Sequence, residues 1–463
     1  MILSYRINRI YCLILFLSIL STVGCSGSSV SEPAASGSSN RQPDNQKSAE
    51  KLDYHIRPEF AEREKLGYWP NLAGPDFNST SQETKLSSDR LSDENRLWTI
   101  EIGSGYSTPV VGRDELYVFY RLGDDEIIEC RELLKGGLKW KFGSPTTYEC
   151  PVEYSNGPYS TPTLDENSLY AIGTESKLYC INRADGELKW LRDLQLDYEP
   201  EAWDFPVGSS PLVIDGQIYL NLGGTKGKSA IVALDAESSK TIWTSMEDGR
   251  SYATPRYALI HGIPHLIVLT DHYLASLNPK DGAVRWQVEF GVKKSPNRVN
   301  AVSPLIVDDK IIATAGPGGG VICLQVEHDG SYKQLWTDRR NLDSQFNNIT
   351  CVSDSIYGFT SKWNRQALLR CLSLETGEIQ WEWSSQLMRG SMIAADGKLY
   401  LLGESGEFAV VKLRSDRLEV LLEPDEPLLK SPSYSAPVIA NGILILRDEH
   451  KLQAWNIRET TKE

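Results

Sequence analysis

From residue 97 onward the chain alternates apolar and polar positions in runs of five or six residues, divided by turn-forming residues. Ser168-Leu169-Tyr170-Ala171-Ile172 and Lys177-Leu178-Tyr179-Cys180-Ile181 are two such runs. Alternation with a period of two, bounded by turn signals, predicts short β-strands. The pattern also repeats on a longer scale. Trp98, Trp140, Trp190, Trp243, Trp286, Trp336 and Trp381 recur at intervals of 42, 50, 53, 43, 50 and 45 residues. Leu421 stands 40 residues further on, where the next tryptophan belongs. Periods of this size point to a repeat architecture in which each unit buries its faces against its neighbours.

Several of these tryptophans close a turn-then-strand unit. Asn182-Arg183-Ala184-Asp185-Gly186-Glu187-Leu188-Lys189-Trp190 is one, and Asn278 to Trp286 and Leu374 to Trp381 are others. The Asp-Gly or Thr-Gly pair supplies the backbone freedom of a tight hairpin. A second column opens each unit. It runs Tyr106-Ser107-Thr108-Pro109, Tyr159-Ser160-Thr161-Pro162, Gly208-Ser209-Ser210-Pro211 and Tyr252-Ala253-Thr254-Pro255. Ala301-Val302-Ser303-Pro304, Asn348-Ile349-Thr350-Cys351, Arg389-Gly390-Ser391-Met392 and Tyr434-Ser435-Ala436-Pro437 complete it. Seven of the eight copies carry a hydroxyl at the third position. Two more strand-like runs lie between the markers, so each unit has four strands, which is a propeller blade. The eighth unit, Tyr434 to Ile457, holds only three strands. Leu97 to Ile102 carries Trp98 without a blade before it and can supply the fourth. The sequence therefore predicts an all-β, eight-bladed propeller of four-stranded blades, closed by the N-terminal strand pairing with the last blade so that no sheet edge is left open there.

The charge balance narrows the partners. A net charge of −14 repels phosphate backbones and argues against nucleic acid. The N-terminus reads as an export signal over residues 1–24: Arg6 and Arg9 are its basic region, and Ile10 to Leu20 is an apolar run short for a membrane span. Thr22-Val23-Gly24-Cys25 resembles a lipobox, with Thr22 in place of the usual Leu, which makes Cys25 a candidate lipidation site. Residues 25–52, rich in Ser, Gly, Pro, Asn and Asp, suit a flexible tether. Residues 53–96 form a lead-in, with a helical candidate at Pro58 to Leu66, and 97–458 the propeller. Such a chain is exported to the cell envelope on its periplasmic side, lipid-anchored, monomeric, and touches the membrane only through its N-terminus.

The turn-strand-Trp unit resembles the tryptophan-docking repeat of quinoprotein alcohol dehydrogenases, roughly Ala-x-Asp-x-x-x-Gly-x-x-x-Trp, across residues 97–457. WD40 propellers fit less well, since no Gly-His pair begins a unit and no Trp-Asp pair ends one. The chain is most similar to the smaller, non-catalytic BamB-like branch, whose members include a lipoprotein scaffold of outer-membrane protein assembly. Trp69-Pro70-Asn71-Leu72-Ala73-Gly74-Pro75 is similar to a Trp-Pro-x-x-Arg-Gly-Pro lead-in of such proteins, with Ala73 replacing Arg. The resemblance implies a non-enzymatic scaffold binding envelope proteins. The enzyme branch uses pyrroloquinoline quinone with Ca²⁺ and an adjacent cysteine pair. This chain has no adjacent cysteines and no Cys-x-x-Cys-His haem motif, so no cofactor is expected, and a quinone and calcium dehydrogenase or quinone sensor is the alternative. Recognition of an extracellular polymer such as a glycan is a third reading, and fold alone does not choose among them.

Other candidate chemistry is sparse, and no catalytic residue is assigned. Gly316-Pro317-Gly318-Gly319-Gly320 lacks the Lys-Ser/Thr of a phosphate loop and reads as a hairpin turn. His261, His265 and His272 lie on the run Ile260 to Leu277 without common parity, so no metal site is expected. Cys130, Cys180, Cys323 and Cys371 share one small-residue column with Ala233, Ser276, Val410 and Ala454, which reads as packing. The ladder tryptophans are expected to wedge between blades, and the Ser/Thr column to bond neighbouring backbone. Because first strands line a propeller channel, Tyr106, Tyr159, Tyr252, Arg389 and Tyr434 are the candidate partner- or ligand-binding ring. Trp203 and Asp204, in the insertion behind the 53-residue interval, are candidate loop contacts.

Overall fold

The computed structural model describes residues 67–200, 205–224, 229–292, 300–361 and 367–459. The leader, Cys25, the tether and the expected Pro58 to Leu66 helix, like Trp203 and Asp204, lie outside the described residues. Eight sheets succeed one another along the chain. Blades one to seven span 110–145, 163–193, 212–245, 256–289, 305–338, 350–383 and 391–422. Each is a four-stranded antiparallel meander, and its two middle strands are almost wholly buried, as in Ser168–Ile172 and Leu399 to Leu402. The eighth blade takes Val438–Ala440, Ile443–Arg447 and Lys451–Asn456, and Arg96–Glu101 pairs antiparallel with the last of these. The only helix among the described residues is one turn, Leu194–Tyr198, capped by Asp193. No helix there is long and apolar enough to cross a membrane.

The small-residue column lies directly across from the tryptophans. Cys130 faces Trp140, Cys180 faces Trp190, Ala233 faces Trp243, Cys323 faces Trp336 and Ala454 faces Trp98. A β-bulge follows at the next residue, so two outer-strand residues oppose one and the indole is tilted toward the next blade. The indole N–H then donates to a carbonyl of that blade's turn. Trp98 reaches Leu133 at 3.0 Å, Trp140 reaches Arg183 at 2.8 Å, and Trp243 reaches Pro279 at 2.9 Å. Trp190, Trp336 and Trp381 make the equivalent bond, whereas the buried Trp286 indole nitrogen makes none. The seventh blade corrects one assignment. Val410 pairs with Leu422, so Leu422 holds the ladder position and Leu421 turns outward. The cause is the turn: Val411 pairs with Val420, nine positions on, where Leu372 pairs with Ile379 at seven, a lengthening that interval counting cannot see.

The hydroxyl column strings bonds between adjacent inner strands from blade eight round to blade five, where Ser303 N donates instead to Asn348 Oδ1. Thr161 Oγ1 accepts from Thr108 N at 3.0 Å, Ser210 Oγ from Thr161 N at 2.9 Å, and Thr254 Oγ1 from Ser210 N at 3.0 Å. Ser303 Oγ accepts from Thr254 N, and Thr108 Oγ1 accepts from Ala436 N across the closure. These hydroxyls satisfy backbone donors that have no strand partner inside the channel.

The lead-in closes one end of that channel. Tyr68–Trp69 adds to the inner strand of blade one, with Trp69 opposite Val111, and Thr80–Ser81 adds parallel to the inner strand of blade seven. Between them, Pro70 O accepts from Leu164 N of blade two and Asn78 O accepts from Thr350 Oγ1 of blade six. Phe77 lies under Arg256 of blade four, and Glu83 accepts from Asn441 N and Gly442 N of blade eight. The Trp-Pro-x-x-x-Gly-Pro segment is thus a stopper. Gly74 has a positive φ of 78°, and a Cβ there would sit 2.6 Å from the Trp69 ring.

Candidate functional site: an aromatic funnel with a closed floor

The other end of the channel is a funnel of about 190 Å³. Every member of the column that precedes the hydroxyls lines it: Tyr106, Tyr159, Gly208, Tyr252, Ala301, Asn348, Arg389 and Tyr434. The column converges because these residues sit two to four positions before the inner strands, where all eight blades approach the axis. Leu72 and Ser79 of the lead-in also line the cavity and form its floor.

The tyrosines do not stand alone. Tyr106 lies with its ring centroid 4.7 Å from that of Tyr159 and 5.0 Å from that of Tyr434, edge-on to the latter. Three aromatics from connecting loops complete the wall. Phe346 packs 4.9 Å from Tyr434, Phe205 packs 6.2 Å from Tyr159 and 6.3 Å from Tyr252, and Tyr154 packs 5.3 Å from Phe205. Distances and tilts of this kind are the favoured arrangements of aromatic pairs. Sequence reasoning missed Phe346, Phe205 and Tyr154 because loop residues carry no periodicity.

Several polar groups of the wall pair with one another or with nearby backbone. Arg389 is buried and forms a two-point pair with Glu404, Nε to Oε2 at 3.0 Å and Nη2 to Oε1. Its Nη1 donates to Gln345 Oε1 at 2.8 Å, and its guanidinium covers the Phe346 ring at 5.0 Å. Tyr434 donates to Glu404 at 2.7 Å, Tyr159 donates to Ser155 O at 3.2 Å, and Tyr106 accepts from Ser155 N at 3.1 Å. Burial first, and then Glu404, holds the Tyr434 phenol well above its ordinary range. Burial does the same for Tyr106 and Tyr159, with Glu449 and Tyr106 as the respective second causes. These phenols stay protonated and act as surfaces rather than bases.

The histidine readings change in one respect. His261 and His272 sit in turns on either side of the strand that holds His265, not on one continuous run. His272 Nδ1 approaches Asp248 at 2.7 Å and Asp271 at 3.4 Å, a juxtaposition invisible in the sequence. Asp248 Oδ2 is already engaged by Thr270 Oγ1 at 2.5 Å and His272 N at 2.9 Å, so the cluster organises its own loop.

A closed eight-bladed ring with tryptophans docked on the next blade's turn is the quinoprotein-type propeller. The chain belongs to the family described as outer membrane protein assembly factor BamB, which matches residues 124–383. Its fold is similar to that of BamB from Moraxella catarrhalis, with a TM-score of 0.56 and 14% identity over 78% of this chain and 99% of that one. It is also similar to a europium-containing methanol dehydrogenase (TM-score 0.62, 9% identity, 82% and 89% covered). A quinohemoprotein alcohol dehydrogenase from Comamonas testosteroni gives a TM-score of 0.58 and 11% identity, with 86% and 82% covered. At these identities the likeness is one of fold. No curated protein sequence matches the chain.

Proposed function

We propose that this protein is a non-enzymatic scaffold of the cell envelope, lipid-anchored through Cys25, whose ring binds other envelope proteins, with outer-membrane protein assembly as its setting. The observation that carries this reading is the internal pairing of the funnel wall. Arg389, Glu404, Tyr434 and Tyr159 satisfy one another or nearby backbone, and what they leave facing the cavity is aromatic surface. Rigid aromatic surface in a concave site is what protein recognition uses. Acid-base or nucleophilic chemistry needs a group held ready for a reacting atom.

The fold family raises the alternative of pyrroloquinoline quinone with Ca²⁺. That quinone is a tricarboxylate, and Ca²⁺ takes six to eight oxygen ligands rich in carboxylate. No carboxylate lines the funnel among its described residues, and its one guanidinium is neutralised by Glu404. These residues do not fit the pair. Equilibrium dialysis of the exported chain against the quinone and Ca²⁺ tests the reading. The scaffold predicts no saturable uptake at high micromolar quinone, and saturable, Ca²⁺-dependent uptake with alcohol oxidation would overturn it.

A further inference from the structure

The floor, size and polarity of the funnel together select what can occupy it. The floor comes from outside the repeat, because Leu72 reaches the cavity only through the Trp69 stopper. No described residue closes the opposite rim, where Tyr154 stands more than a third exposed. Its volume of about 190 Å³ is comparable to an engineered apolar cavity of ~150 Å³ that takes up benzene, room for one ring-bearing group.

Charge complementarity excludes most such groups. Arg389 and Glu404 sum to zero and are buried together, so an ionic occupant would lose its hydration without gaining a counter-charge. A sugar ring would bring several hydroxyls to a wall whose polar atoms are mostly committed. Asn347 Nδ2 donates to Arg389 O and Gly390 O, Asn348 Oδ1 accepts from Ser303 N, and the three rim phenols bond Ser155 or Glu404. Each buried hydroxyl left unpaired is costly. An uncharged aromatic ring needs none of these partners and can pack edge-to-face against Tyr106, Tyr159, Phe346 and Tyr434.

We infer that the funnel is a receptacle for a single neutral aromatic side chain presented by a loop of a partner protein, with Leu72 as its depth stop. This rests on the scaffold reading and gives it a chemical address. Isothermal titration of the full exported chain with N-acetyl-tryptophanamide and N-acetyl-tyrosinamide tests it, against methyl α-glucoside, phenylacetate and N-acetyl-argininamide. Saturable one-to-one binding of the two neutral aromatic amides is expected, at least tenfold tighter than the sugar, the anion or the cation. Leu72→Trp fills the floor and is expected to weaken it at least tenfold. Tyr159→Ala removes wall and is expected to weaken it likewise, while Leu421→Ala, on the outward side of blade seven, binds within about twofold of the parent. Equal or tighter binding of the glucoside or of either charged probe would overturn the proposal, as would unchanged binding in Leu72→Trp. Probe binding without any envelope partner would leave the receptacle and overturn the scaffold. A partner captured equally by the parent and by Leu72→Trp would keep the scaffold and overturn the receptacle.

Discussion

The indole of Trp140 lies against the backbone of Gly186 in the next blade, where a Cβ would meet the ring at 2.6 Å. Gly186 has a φ of 80°, and Trp140 Nε1 bonds Arg183 O in the same turn. Gly282 under Trp243 and Gly377 under Trp336 repeat the relationship at 2.5 Å. One glycine thus meets two demands, a left-handed backbone and a flat seat for the ring. Gly186→Ala is predicted to lose about 2–4 kcal/mol, strain and overpacking together. Gly216→Ala, with φ of 74° and open space around it, should lose only about 1–2 kcal/mol. Urea unfolding of both variants checks the difference.

Trp98 is the ladder residue that joins the two ends of the chain, since it sits on Arg96–Glu101 beside Lys451–Asn456 and bonds Leu133 of blade one. Trp98→Ala is predicted to cost about 3–5 kcal/mol. Trp286→Ala gives up no indole hydrogen bond and should cost less. Similar melting temperatures for the parent and Trp98→Ala would count against the closure carrying that weight.

Arg256 stands in a column that holds Val110, Leu212, Leu305 and Val438 in other blades, and it is fully buried. Its Nη1 reaches Pro255 O at 3.3 Å, Phe77 lies 5.7 Å away, and no carboxylate among the described residues pairs with it. Burial accordingly pushes it down to about 9. Arg447 is as deeply buried, yet five carbonyls, of Gly103, Gly105, Ser107, Phe119 and Asp448, surround it. A buried charge without partners is a net cost that an apolar residue removes. Arg256→Met is predicted to raise stability by about 1–3 kcal/mol by chemical denaturation, whereas Arg447→Met should lower it by several, since it strips donors from buried carbonyls.

His265 is fully buried, and burial, with Arg285 as the second cause, lowers it from 6.5 to about 4. The folded chain therefore keeps this imidazole neutral where the unfolded chain protonates it. Its contribution is complete above pH 6.5 and declines as pH falls toward 4, by up to about 3 kcal/mol at ~1.4 kcal/mol per decade. Thermal melts between pH 4 and 7 should show a steeper acid-side decline in the parent than in His265→Gln. Parallel declines would place the acid sensitivity elsewhere.

Much of this architecture is legible in the sequence because the device that holds it repeats. The small residues recur in every blade, the ladder tryptophans and the column hydroxyls in seven of the eight, and a column of recurrences can be read without a structure. The funnel column is legible for the same reason. What is not legible is whatever breaks the period. Phe205, Phe346 and Tyr154 reach the funnel from loops, Glu404 meets Arg389 from 15 residues away, and Leu72 arrives from before the ring. The longer turn that puts Leu422 rather than Leu421 on the ladder is a small change in a variable interval. The Asp185-Gly186 turn also differs from a two-residue hairpin: Gly186 alone takes positive φ, and Gly186 N closes a five-residue loop onto Asn182 O.

The most direct test of the account is photocrosslinking in cells, with benzoylphenylalanine replacing Phe346 in the funnel wall or Leu421 on the outer edge of blade seven. A discrete adduct with an envelope protein at position 346, lost on adding Leu72→Trp and not formed at position 421, is the predicted result. An absence of protein adducts at position 346, together with saturable quinone binding by the purified chain, would contradict it.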